Sequence, residues 1–202
     1  MTLEPPVNRL IRLAFDAPDE MQALLRQEPD LLEARTGLEE TALHYLAVEN
    51  QLRAVILLVE AGAQVNTLNS CGGTPLSEAA SLGYTELVEY LLSQGARLHI
   101  AGQGEPTLHE AVRSGNATVV QLLLAAGAPV DEQNDLKETP LHLAAEEDGR
   151  LAALQVLLNA GANPALRRIF DETPLDVALE AGSSACASAL LAVSAPKGNS
   201  AA

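Results

Sequence analysis

Apolar residues recur in two kinds of short segment that alternate along the chain. The first kind follows a Thr-Pro pair, as in residues 139–145, where Leu and Ala dominate after the pair. Because Thr is a good helix N-cap and Pro suits the first helical turn, this segment predicts a short helix. The second kind, such as residues 154–162, has a broad apolar face and then a glycine, Gly161, which is typical of a second helix and its C-terminal cap. The pattern therefore predicts a helix–turn–helix unit.

Both segments return at a fixed interval, which indicates an internal repeat. The Thr-Pro-Leu-His motif and its variants have their leucine at Leu43, Leu76, Leu108, Leu141 and Leu175, at spacings of 32 to 34 residues. The second segment recurs in the same register, at residues 55–63, 88–96, 120–128 and 154–162. Between them lie about ten residues rich in Asn, Asp and Gly, which predict an extended turn or hairpin.

Each of the two motifs returns about every 33 residues, and they keep the same register. This pattern resembles the ankyrin repeat. The resemblance covers roughly residues 10–193 and implies an all-α ankyrin-repeat solenoid, with stacked helix pairs joined by short β-hairpin loops. The N-terminus has a matching helix pair at Asn8–Ala17 and Pro18–Gln27, so we expect about six pairs including caps. The predicted organisation is one domain, 1–193, with an N-terminal cap at 1–36, repeats at 37–69, 70–102, 103–134 and 135–168, a C-terminal cap at 169–193, and a disordered tail at 194–202.

Three departures from the repeat stand out. The third hairpin, residues 97–105, is one residue short, and the fourth repeat has one extra residue around Glu147–Arg150. The last segment, residues 183–188, consists of small residues, which suits a terminal cap that faces water.

Charge limits the classes of partner. The chain carries 12 Lys and Arg against 27 Asp and Glu, a net charge of −15. Nucleic acids and anionic membrane surfaces are therefore disfavoured as partners, whereas a basic protein would associate with this chain at a higher rate. The two cysteines have no metal-binding or CxxC spacing, which fits a reducing compartment, and we therefore expect a cytoplasmic protein. We also expect the protein to be a monomer.

Candidate chemistry is sparse. His44, His109 and His142 occupy one repeat position, but stacked helices lie about 8–10 Å apart, so these side chains cannot converge on one metal ion. The resemblance implies instead a structural histidine that bonds to nearby backbone. Cys71 and Cys186, about four repeats apart, are beyond disulfide reach. The chain has no nucleotide-binding, nucleophile-elbow or zinc-protease motif, so we expect no enzyme, no metal and no cofactor.

Aligned repeats expose two columns of candidate binding residues at the hairpin tips. The first is mostly apolar and comprises Leu38, Cys71, Leu136 and Phe170. The second is mostly acidic and comprises Glu40, Glu138 and Glu172, with Glu105 in the shortened hairpin. The inner helices add a variable column that contains Leu82, Arg113, Glu146 and Glu147. In the family, tips and inner helices line a concave binding face; the alternative is that the apolar tips pack on neighbouring hairpins.

These observations predict a protein-binding module, an adaptor or inhibitor for a partner with a basic and apolar surface. An alternative is a regulatory protein or a bacterial effector that acts inside another cell. A catalytic site hidden in the repeats is disfavoured, since the chain has no residues left for a catalytic domain.

Overall fold

The computed structural model describes residues 6–194, and within them the fold is all-α, as the repeat pattern predicts. Residues 1–5 and 195–202, which include most of the predicted tail, lie outside the described part. Two short 3-10 helices cover Pro29–Glu33 and Asp148–Arg150. The α-helices are α1 Pro6–Asp16, α2 Pro18–Gln27, α3 Ala42–Val48, α4 Leu52–Glu60, α5 Pro75–Ser81, α6 Thr85–Ser93, α7 Thr107–Ser114, α8 Ala117–Ala125, α9 Pro140–Ala145, α10 Leu151–Asn159, α11 Pro174–Ala181 and α12 Ser184–Ser194.

The chain divides into two compact units, and the boundary lies between Glu110 and Ala111, inside α7. In the first unit α3 packs between α1 and α5, and each of these helices also contacts the helix that follows it. In the second unit α9 packs against α10 and α11, while α10 contacts α8 and α12. Each unit is thus built from successive helix pairs.

The Thr-Pro segments begin helices for the reason expected from their composition. Thr74 accepts the backbone N–H of Ser77 at 3.0 Å, and the Ser77 hydroxyl accepts the N–H of Thr74 at 2.8 Å. This reciprocal capping box satisfies two N–H groups that the first turn of a helix leaves unpaired. Thr41 and Thr139 form the same box with a histidine in place of the serine.

Leucine and alanine make the core in both units. Leu76 and Ala80 are fully buried on α5, and Leu141 and Ala144 are fully buried on α9. Since alanine side chains are small, neighbouring inner helices can approach closely without large aromatic residues. That packing explains how a chain with only 2% aromatic residues forms a close-packed hydrophobic core.

The loops between repeats are tight turns, and no β-strand is assigned in residues 6–194. In the second unit, Asn134 donates its N–H to the carbonyl of Glu138 at 3.1 Å, and Lys137 donates back to the Asn134 carbonyl at 2.9 Å. Asn134 Oδ1 also accepts the N–H groups of Leu136 and Glu138. The predicted hairpins are therefore present as turns, but each has too few ladder bonds to form a regular strand.

The extra residue of the fourth repeat forms a 3-10 turn that caps the last helix. Asp148, in this turn, accepts the backbone N–H groups of Ala185 and Cys186 through Oδ1, at 3.0 and 3.1 Å. The buried Cys186 thiol lies 3.6 Å from the carbonyl of Ala144 and donates to it. The inserted turn thus joins the helix pair α9 and α10 to the C-terminal pair α11 and α12.

Candidate functional site

The hairpin tips of the second unit present three large apolar side chains to solvent. Leu136 is 49% exposed, Ile169 is 54% exposed and Phe170 is 72% exposed. The N–H of Ile169 donates to the carbonyl of Leu136 at 3.0 Å, so the two tips are held side by side. We call Leu136, Ile169 and Phe170 the apolar tip cluster. Its members do not fill the interior of the fold, which disfavours the alternative that these tips serve as packing residues.

A partly buried ion network links the two hairpins that carry this cluster. Arg168 donates to Glu138 at 2.9 Å and to Glu172 at 2.7 Å. The guanidinium carbon of Arg168 also lies 5.9 Å from the centroid of the Phe170 ring, within the range of a cation–π contact. The arginine therefore ties together the two hairpins that carry the apolar tip cluster.

The structure gives the two acidic flanking residues different environments. Glu138 is only 6% exposed, and its carboxylate faces Arg168 rather than solvent. Glu172 is half-buried, and its hydrogen bond from Arg168 holds the pKa of the carboxyl below its usual range. The carboxylates predicted as a polar flank thus form one network inside the chain, and the charge they present to a partner is partly offset by Arg168.

The tips of the first unit are arranged in the same way but are less apolar. Leu38 is 61% exposed, and its carbonyl accepts the N–H of Ser70, next to the exposed Cys71, at 3.0 Å. Glu40 is half-buried and accepts from the hydroxyl of Thr36. This unit therefore offers one large apolar tip and a thiol.

A small cavity in the first unit brings Cys71 and Glu105 together. It measures about 140 Å³ and is also lined by Gly72, Glu78 and Glu110. That volume is below the roughly 300 Å³ at which small-molecule pockets begin. We therefore assign no small-molecule site to it.

The predicted inner-helix residues do not act alike. Leu82, the residue that caps the C-terminus of α5, is 45% exposed, and Arg113 is exposed on α7. Glu146 and Glu147 instead pair with Arg150, at 3.0 and 3.3 Å. In the second unit, the acidic part of this column is thus occupied by an internal ion pair.

His44 and His142 take the backbone-binding role that the resemblance implies. His44 accepts the N–H of Thr41 at Nδ1, and its Nε2 lies 3.1 Å from the carbonyl of Thr67. His142 makes the matching contacts with Thr139 and with the carbonyl of Glu172. Burial lowers the pKa of both imidazoles, which favours the neutral form that this geometry needs.

Two features that would indicate other classes of function are absent from residues 6–194. No group of three or more His, Cys, Asp and Glu side chains there could hold a metal ion. No helix within the same range combines the length and the apolar character that crossing a bilayer requires.

Comparison with known proteins agrees with the repeat geometry. The family model for ankyrin repeats (three copies) matches residues 11–101 and 104–200. The chain belongs to the ankyrin-repeat family. This membership confirms the fold class predicted from the two motifs, and with it the general role of the repeats in binding other proteins.

Proteins similar to this chain have names that indicate varied functions. The chain is 36% identical over 135 residues to the E3 ubiquitin-protein ligase XBAT33 of Arabidopsis thaliana, over 65% of this chain and 26% of the relative. It is 36% identical over 113 residues to human SMC5-SMC6 complex localization factor protein 1, over 53% of this chain and 11% of the relative. It is 31% identical over 135 residues to the chicken nuclear factor NF-kappa-B p105 subunit, over 62% of this chain and 14% of the relative. The chain thus spans about a quarter or less of these relatives.

Sequence reasoning missed two members of the second-unit site. Ile169 adds to the apolar tip cluster, and its position next to Phe170 in the sequence could have predicted this. Arg168 stands where the earlier hairpin has Asn134, and this substitution of a turn-forming residue by a long cation was the signal for the ion pair.

Proposed function

We propose that this protein is a non-enzymatic adaptor or inhibitor that binds a protein partner, with the apolar tip cluster as its anchor. The observation that carries the proposal is the exposure of Leu136, Ile169 and Phe170 on two tips held together by a backbone hydrogen bond. Burying one such side chain contributes roughly 1.5–3 kcal/mol. Interfaces concentrate their energy in a few anchors of this kind, surrounded by polar groups.

The chemistry of the partner follows from charge. The chain has a net charge of −15, so a partner with a basic rim around an apolar patch would be attracted over long range. The remaining predicted contacts are Leu38, Cys71 and Leu82 in the first unit and Arg113 in the second, and each unit would make its own contacts with the partner. Two free thiols, one of them exposed, support a reducing compartment such as the cytoplasm.

The decisive experiment compares capture of partners by matched variants. The double variant Leu136→Ser with Phe170→Ser should lose the specific partner in affinity capture from the native cells, read by mass spectrometry. Its melting temperature should change little, because Leu136 is already 49% exposed and Phe170 is 72% exposed. Leu179→Ser is the matched control, since Leu179 is 61% exposed in the same unit but lies on α11 rather than on a tip.

The possible outcomes distinguish binding at the tips from binding at the inner helices and from tips that serve as packing residues. Proteins captured by the wild type and by Leu179→Ser, but not by the double variant, are partners of the tip cluster. If the folded double variant captures the same set as the wild type, the proposal is wrong and binding lies on the inner helices. If the double variant unfolds, the tips are packing residues.

A further inference from the structure

A groove in the first unit lies between the C-terminal halves of α2 and α4. It measures about 490 Å³, which falls within the roughly 300–1,000 Å³ of small-molecule sites. Pro29, Leu57 and Ala61, which are exposed or half-buried, give it an apolar wall. Two exposed charged side chains, Arg26 and Glu60, also line it. We call this cavity the charged groove.

The second unit contains a matching groove that no charged residue lines. It lies between α8 and α10 and measures about 280 Å³. Every residue that lines it stands ninety-nine residues, or three repeats, after a residue that lines the charged groove. Its apolar positions Val156 and Ala160 are the counterparts of Leu57 and Ala61. Packing of successive helix pairs therefore accounts for the apolar wall in both units.

The same packing does not account for the two charges. Three repeats later, Ala125 stands in place of Arg26, and Asn159 stands in place of Glu60. Glu60 is the last residue of α4, where the helix dipole disfavours a negative charge. Arg26 lies in the last turn of α2, where the dipole favours a cation. Helix stability thus gives a reason for the arginine but none for the glutamate beside the same groove.

Arg26 and Glu60 line one groove without pairing with each other. Among residues 6–194, neither side chain forms a salt bridge or a side-chain hydrogen bond. Burial raises the pKa of the Tyr90 phenol, and the charge of Glu60 raises it further, so this carboxylate lies within electrostatic reach of Tyr90. Two opposite charges held apart beside an apolar wall match a ligand that carries both charges on an apolar body.

We propose that the charged groove binds a small zwitterion with an apolar side chain, either a free α-amino acid or a dipeptide. The guanidinium of Arg26 would donate two hydrogen bonds to the ligand carboxylate, because its planar fork matches that group. The carboxylate of Glu60 would accept from the ligand ammonium. The apolar side chain of the ligand would lie against Pro29, Leu57 and Ala61. A zwitterion has no net charge, so the −15 charge of the chain does not oppose its entry.

This site is separate from the apolar tip cluster. Its lining residues all belong to the first unit, whereas Leu136, Ile169 and Phe170 belong to the second. Loss of one site should therefore leave the other intact, and failure of either proposal is measured independently.

An NMR titration of the ¹⁵N-labelled full chain tests the proposal. L-leucine, L-phenylalanine and the dipeptide Leu-Leu are added in separate arms, which distinguish an amino acid from a dipeptide. The amide resonances of Leu57 and Ala61 should shift and saturate with at least one of these ligands. N-acetyl-leucine lacks the ammonium and leucine amide lacks the carboxylate, so each should bind about tenfold more weakly than the parent zwitterion.

The chain itself supplies the matched variant. Arg26→Ala with Glu60→Asn gives the charged groove the residues of the second unit and should abolish the saturable shifts. Arg53→Ala removes an arginine of α4 that is 77% exposed and lies outside the groove, so it should bind like the wild type. The capped ligands test the same two contacts without any substitution. The proposal is overturned if none of the zwitterions gives saturable shifts, if the capped ligands bind equally well, or if the folded double variant still binds.

Discussion

Arg168 donates from Nη1 to Oε1 of Glu138 at 2.9 Å, across thirty residues of sequence. The carboxylate is almost fully buried, and the arginine side chain is 19% exposed. This pair joins the two hairpins that carry the apolar tip cluster.

Removal of the arginine should destabilise the protein more than loss of the whole pair. Arg168→Leu leaves the Glu138 carboxylate buried without its cation, which costs about 1–3 kcal/mol for an unsatisfied buried group, and more when that group is charged. Adding Glu138→Gln removes the uncompensated charge and should recover part of the loss. Urea unfolding of the wild type, both single variants and the double variant measures the coupling; a coupling free energy near zero would contradict a structural role for the pair.

Gly72 should tolerate alanine worse than another glycine with a similar backbone. Gly72 and Gly95 both have positive φ, +76° and +81°, but a Cβ at Gly72 would lie 2.6 Å from the backbone nitrogen of Gly104, whereas Gly95 faces open space. Gly95→Ala should cost about 1 kcal/mol from backbone strain alone. Gly72→Ala should cost clearly more, because it also breaks the 3.1 Å hydrogen bond from the Gly104 N–H to the Gly72 carbonyl. Equal losses in urea unfolding would show that the close approach of the two loops is unimportant.

Mild acid should destabilise the fold through its histidines. The pKa of His44 and of His142 is lowered from 6.5 in the folded state by burial, so the unfolded chain binds protons first as pH falls. The stability these groups contribute is therefore complete above about pH 6.5 and is lost progressively below it.

Melting temperature measured from pH 8 to pH 5 checks this dependence. The double variant His44→Ser with His142→Ser should show a flatter profile between pH 6.5 and 5.5. Serine is the suitable replacement because Ser77 already fills the same capping position in the second repeat. An unchanged slope in the variant would assign the acid sensitivity to carboxylates instead.

The two thiols should react at very different rates. Cys71 is exposed, whereas Cys186 is buried and its pKa is raised to about 11, chiefly by desolvation. Since the thiolate is the reactive form, a disulfide reagent such as DTNB at pH 8 should modify one thiol quickly in the folded protein and the second only after unfolding. Cys71→Ser should abolish the fast phase; two fast thiols would show that the last helix opens readily.

Partner association should slow as salt rises. Exposed charges are screened beyond about 8 Å at physiological ionic strength, so the steering effect of the −15 charge weakens first. Once a partner is isolated, stopped-flow or surface measurements from 20 to 500 mM NaCl should show a falling association rate and a nearly constant dissociation rate. An association rate that does not respond to salt would argue against a basic partner.

Much of the fold follows from local sequence, because the repeat encodes it several times over. Thr-Pro pairs specify where inner helices begin, the alternation of Leu and Ala specifies their buried face, and the spacing of the leucines specifies the family. Each of these signals acts within a few residues, so a linear pattern is enough to predict it.

Sequence alone determined the all-α ankyrin-repeat class and placed Leu136 and Phe170 at hairpin tips, whereas their exposure is a result of the structure. Tertiary structure decided which charged side chains remain available to a binding partner. Folding brings Arg168 to Glu138 from thirty residues away, whereas the pairs of Arg150 with Glu146 and Glu147 are local contacts within four residues. It also decided that Leu179 and Leu191 are exposed, since burial at a stacking face depends on whether another repeat lies against it. Pairing and burial depend on through-space neighbours, and a pattern read along the chain does not contain them.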